Sequence, residues 1–241
     1  MRQAARLTIG SLIALTLAAC QPRASDDAAF GQRVRAYLLS HPEVLQEVSQ
    51  RLDAKQAADD AAGQRRAETL IPGLRQQIER DPRDFVANPT GAVTVTEFYD
   101  YRCPHCADAA PKVIALIHDN PDVRFVFKEM PIFGPISEHA ARAALAVRAA
   151  GGDSLGLYGA FMTTHGLDDA AIDRIAREKG GGASAPAAAK TAAAQLAQTS
   201  ALFTKLDLEG TPAFIVGNDI ILGEDMEAVQ AAIARIRARG V

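Results

Sequence analysis

The chain has 241 residues, 48% apolar and 23% charged, enough for one globular domain with a core of its own plus additional segments. Its net charge is −3 with basic and acidic residues interspersed, so no surface-wide field argues for nucleic acid or a strongly acidic ligand. No run beyond residue 19 is long and apolar enough to span a bilayer, which takes about 20 residues.

Residues 1–19 read as an export signal: Arg2 and Arg6 form a basic start, and Leu7–Leu17 is apolar apart from Thr8, Gly10, Ser11 and Thr16. The four residues that follow from Leu17, "LAAC", resemble the bacterial lipobox, which implies that Cys20 is lipidated and becomes the mature N-terminus. Ordinary cleavage near Ala19 or Ala24 is the alternative. With Cys20 assigned to a lipid, the remaining cysteines, Cys103 and Cys106, form a pair with no orphan thiol. Export also implies an oxidising compartment, where such a pair can hold a disulfide. Gln21 after the cysteine resembles the enteric sorting pattern for the outer membrane, so a periplasm-facing lipoprotein of the bacterial cell envelope is expected. Residues 20–29 are small and polar, as a tether should be.

Residues 30–80 predict a helical arm. "SHPEVLQEVSQRL" has Ser40 as an N-cap, Pro42 in the first turn and Glu43 completing a capping box. Val44, Leu45, Val48 and Leu52 form a narrow apolar stripe, which resumes at Leu70, Ile71, Leu74 and Ile78 after a polar stretch from Ala54 to Glu68. So few large apolar side chains suit an arm that packs loosely on the domain, serves as a solvated spacer, or pairs with copies of itself as a homo-oligomer.

The folded domain is expected over 81–241, after the helix-breaking "DPRDFVANPTG". Val93–Tyr99 reads as a strand, Pro111–His118 as part of a helix and Val123–Lys128 as a second strand, a crossover unit whose strands should be parallel. A helical block follows over about 137–206. "TPAFIVG" and "DIILG" then form a hairpin through Gly217 and Asn218, and Met226–Arg239 closes the chain as an amphipathic helix.

The chemistry concentrates at "FYDYRCPHCADAAPKV", residues 98–113. Cys103 stands at the start of a helix if Pro104 occupies its first turn. There the helix carries about half a positive elementary charge and unsatisfied N–H groups, which favour a thiolate. Cys106 lies one turn later, close enough for a disulfide and shielded from solvent. Cys103 is therefore the attacking sulfur and Cys106 the resolving one. The His105 imidazole between them can stabilise the thiolate, and a more stable thiolate means a more oxidising disulfide. A structural bridge would close a very small ring, and zinc would need a second ligand pair that no other histidine supplies at suitable spacing. Soft Cu(I) on Cys103, His105 and Cys106 is the remaining alternative, a metal-tolerance module.

"EFYDYRCPHC", "GTPAF" and the inserted helical block resemble the DsbA family of thiol:disulfide oxidoreductases over about residues 90–241. The resemblance implies an α/β thioredoxin fold with an inserted helical domain, preceded here by the arm. It implies a cis bond at Thr211-Pro212, a pair lying against the active-site sulfurs and receiving substrate. It also makes Glu97 a buried carboxyl that moves protons to and from Cys106. Lys128, in the neighbouring predicted strand, could be its partner, an ordinary ion pair at a strand edge or end being the alternative for both. Asp100 and Arg102 read as surface residues of the rim, and the prolines of "PIFGPISEHA" as turns beside a groove.

"YLLSHPEVLQEVSQRL" is similar to the leading segment of ScsC-like proteins. Thr211 matches disulfide isomerases and Pro104-His105 matches the donor oxidase, so oxidation and isomerisation both stay open. The implied partners are unfolded or misoxidised exported proteins and a DsbB-like or DsbD-like membrane redox protein, with no cofactor and no nucleic acid.

Overall fold

The computed structural model describes residues 24–181 and 186–240; the leader, Cys20 and tether residues 20–23 lie outside the described residues. The chain divides between Asp59 and Asp60 into two compact units.

In the first unit, helix α1 spans Ala24–Ser40 and helix α2 begins at Glu43, running on to Glu79. The second half of the expected tether is thus helical, as its alanines allow. The expected capping box does not form, because Ser40 ends α1: its hydroxyl donates back to the carbonyls of Ala36 and Tyr37. Phe30, Val34, Tyr37, Leu39, Leu45, Val48 and Leu52 are all exposed in this unit.

The second unit holds a mixed five-stranded sheet in the order β1-β3-β2-β4-β5. Strands β2 (Val93–Tyr99) and β3 (Val123–Glu129) are parallel and central, joined across helix α3 (Pro104–Asp119). β4 (Ala213–Val216) and β5 (Asp219–Leu222) form the hairpin, turning at Gly217 with φ 65°, which a residue without Cβ adopts readily. Edge strand β1, Phe85–Ala87, pairs antiparallel with β3 inside the segment expected only to break the helix.

Alternation sends the two sides of β2 into different cores. Val93, Val95 and Tyr99 join α3, helix α8 (Met226–Arg237) and helices α4 (Pro135–Ala149), α5 (Ser154–Thr163) and α6 (Asp169–Glu178). Phe98 joins Leu202 and Phe203 of helix α7 (Pro186–Lys205) and Leu206 just past its end, with Ile71, Leu74 and Ile78 of α2. The last quarter of the expected arm is therefore core: Ile71 and Ile78 are wholly buried against the sheet's second face, so the domain begins well before residue 81. α4 to α7 form the helical insertion. Among the described residues no helix is long and apolar enough to cross a membrane.

Candidate active site

Strand β2 delivers the chain to the C-terminal end of the central parallel pair, and the turn 100–103 starts α3 there. Cys103 is the N-cap of α3 in extended conformation, with Pro104 beginning the helix. Both cysteines are free thiols, and both are buried. The Cys103 thiol donates to the Thr211 carbonyl at 3.1 Å, across from α3. The Thr211-Pro212 bond is cis.

The two sulfurs have opposite acidities. Cys103 is brought down to about 5, chiefly by a hydrogen bond from the Cys106 thiol, with the Thr211 hydroxyl and the backbone N–H groups of Cys106 and His105 adding to it against the penalty of burial. The Thr211 hydroxyl is buried and has no other protein partner, so it can turn to the thiolate. Cys106 is driven strongly upward, first by burial, then by its bond to Cys103 and by the charge of Glu97.

His105 contributes through its backbone. Its ring is exposed at the rim, with Nδ1 3.6 Å from the Glu224 carboxylate. The first turn of α3 turns main-chain N–H groups toward Cys103, and the side chain of His105 lies exposed beside Glu224.

Glu97 lies at the bottom of the site, wholly buried, with the Tyr158 hydroxyl donating to both carboxylate oxygens at 3.2 Å. Burial raises its pKa to about 8, against the Tyr158 bond. Lys128 is not its partner. Glu97 aligns with Phe127 in the parallel register, which places Lys128 on the other face of the sheet, where it pairs with Asp84 at 2.5 Å.

Asp100 also departs from expectation: it is 2% exposed, its carboxylate accepting from the backbone N–H of Arg102, Ile132 and Phe133. Arg102 is at the surface, as expected, and donates to the Phe133 carbonyl.

Tyr158 and Glu129 had no sequence signal beyond a polar residue in an apolar stretch. Glu129, also buried, accepts from Tyr99 at 3.1 Å and is pushed by burial to about 7. Among the described residues no three His, Cys, Asp or Glu side chains gather as a metal site would require.

Residues 83–235 match the family model described as "Thioredoxin". The chain belongs to the thioredoxin family. Residues 26–59 of this thioredoxin-family chain match a second model, "Copper resistance protein ScsC N-terminal domain". The fold resembles a thioredoxin-like oxidoreductase from Silicibacter pomeroyi, 37% identical with a TM-score of 0.61, covering 68% of this chain and 98% of that one. It also resembles a linker-deletion mutant of Proteus mirabilis ScsC, with a TM-score of 0.66 over 93% of this chain and 100% of the other; at 22% identity this likeness shows the fold alone. Among curated proteins, the Na(+)/H(+) antiporter NhaA 1 of Salinispora arenicola is 39% identical over 91 residues, which are 36% of this chain. The match spans only 13% of the antiporter's length.

Proposed function

We propose that this chain is an exported thiol:disulfide oxidoreductase that forms or isomerises disulfides in envelope proteins through Cys103 and Cys106. The observation that carries the reading is the placement of the two sulfurs: Cys103 caps the head of α3 with its sulfur 3.1 Å from the carbonyl of Thr211 in the cis Thr211-Pro212 pair, and Cys106 stands one turn on, wholly buried, an arrangement that favours thiolate at the first and thiol at the second.

In oxidation, a substrate thiolate attacks Cys103 of the Cys103–Cys106 disulfide. A substrate–Cys103 bond forms, the Cys103–Cys106 bond breaks, and Cys106 departs as a thiolate that takes a proton. Glu97, neutral below about pH 8, is the proton source beneath it. A second substrate thiolate then attacks the substrate sulfur, leaving the substrate disulfide and the stabilised Cys103 thiolate. Two electrons have passed to the pair, and a DsbB-like partner removes them. In isomerisation the reduced Cys103 attacks a wrong disulfide, Cys106 resolves stalled complexes, and a DsbD-like partner keeps the pair reduced. Thr211 and Pro212 receive the substrate chain, and no cofactor takes part.

The leader 1–19 and Cys20 supply export and a lipid anchor facing the periplasm, and tether and arm separate the anchor from the domain. The exposed apolar side chains of residues 30–52 pair with other copies of the chain. The test adds residues 21–241 to scrambled ribonuclease in a glutathione buffer. Recovery above the buffer, lost when residues 24–59 are removed, assigns an oligomeric isomerase. Fast oxidation of reduced ribonuclease without recovery assigns a donor oxidase. Absence of both overturns the reading.

The match of residues 26–59 to a copper-resistance domain favours a second reading, Cu(I) held by the site thiols. Stoichiometric Cu(I) after reconstitution under reducing conditions, lost in Cys103→Ser, supports it; no bound copper removes it.

A further inference from the structure

The rim beside Cys103 combines a held main chain with uncovered apolar side chains. In the segment 130–134, the Met130 N–H donates to the Tyr99 carbonyl at 2.7 Å, and the Ile132 and Phe133 N–H groups donate to Asp100 Oδ2 at 2.7 and 3.0 Å. The Phe133 carbonyl accepts from the Arg102 guanidinium at 3.2 Å. Yet Ile132 and Phe133 are 42% and 45% exposed. A connecting loop left to water would bond its backbone to solvent and carry polar side chains. This one does the reverse, which is how a preformed apolar contact edge is built.

Asp100 is the common anchor. Its Oδ1 accepts from the Arg102 N–H at 2.8 Å, its own carbonyl accepts from the Cys103 N–H at 3.1 Å, and its Oδ2 holds the rim. One buried carboxylate thus fixes the turn that carries the reactive sulfur and the loop that carries Phe133. Charge-assisted bonds of this kind are among the stronger ones a side chain can make.

We propose that Asp100 is a positioning residue for substrate selection: it locks the Ile132–Phe133 edge at a set distance from Cys103, so that a polypeptide with a large apolar side chain beside its reacting cysteine docks in register with the sulfur. The inference rests on the oxidoreductase reading above. The occupant is the substrate chain, because the edge and the turn that carries Cys103 hang on the same residue, so that a polypeptide bonded to the Cys103 sulfur passes beside Ile132 and Phe133.

The test uses the oxidised full chain and two reductants: a peptide with phenylalanine beside its cysteine, and glutathione, which has no side chain to place on the edge. Asn supplies one acceptor oxygen where Asp supplies two, and its NH2 would face an N–H, so Asp100→Asn frees either the rim or the turn. In Asp100→Asn, kcat/KM for the peptide should fall about 10-fold more than for glutathione, through KM. Phe133→Ala should show the same selective loss, and the double variant no further loss, because both act through one edge.

Equal losses for the two reductants, or additive losses in the double variant, would overturn the proposal. If Asp100→Asn does not fold, Phe133→Ala at its exposed position decides alone, and an unselective result sinks the idea. Wild-type chain that exchanges with neither reductant overturns the oxidoreductase reading and this inference with it.

Discussion

A thiol that ionises near pH 5 instead of about 8.5 ties folding to pH, because the folded reduced chain binds fewer protons than the unfolded one in between. Its contribution to stability is fully present above the unfolded value and is lost as pH falls through about 5. The urea midpoint of the reduced protein, measured against that of the oxidised protein, should therefore rise from pH 5 to about 8.5, and Cys103→Ala should flatten the rise. Glu97 has the opposite sign. Its carboxyl is raised from 4.5 to about 8, so the unfolded chain releases a proton first and the folded state loses stability as pH climbs through that window. Glu97→Gln should leave stability unchanged at pH 4 and raise it by a few kcal/mol at pH 8, while slowing formation of the substrate–Cys103 mixed disulfide, the step in which Cys106 departs and takes its proton. A variant that is equally stabilised at both pH values would show that Glu97 is not neutral in the folded protein.

At the scale of elements, the second face of the sheet is held by a buried ion pair. Lys128 of β3 and Asp84, just before β1, are 2% and 1% exposed, and Gln195 of α7 donates to the same carboxylate at 3.2 Å. Asp84→Ala would leave the ammonium buried without a partner, at a cost of about 3–5 kcal/mol in chemical denaturation. Adding Lys128→Met should recover most of that loss, since an apolar pair of similar volume satisfies the site. The same pair explains why the expected Glu97–Lys128 contact does not form. Residues in adjacent strands share a face only by register, and local sequence does not state the register. The strand, helix, strand unit and the hairpin at Gly217 were legible because alternation and turn chemistry act within a few residues. Edge strand β1 was not, being three residues long between two turn signals.

For the whole molecule, the division between Asp59 and Asp60 changes where the arm can be cut. Removing residues 24–59 should leave a folded, monomeric unit by sedimentation. Cutting at residue 81 should unfold it, since Ile71, Leu74 and Ile78 would leave the core. If the longer unit sediments no faster than the shorter one, the arm is not an assembly device.

The sequence by itself determined the reactive turn, the order of the central elements and the family. Cys-Pro-His-Cys at a strand-to-helix junction concentrates thiol chemistry in four adjacent residues, and their local geometry needs nothing distant. Only the tertiary structure decided what surrounds those sulfurs. Tyr158 reaches Glu97 from 61 positions away, Thr211 reaches Cys103 from 108, and Asp100 turns inward because a loop 32 residues later offers its N–H groups. Which buried polar groups find partners depends on packing between elements, and packing is a property of the folded whole.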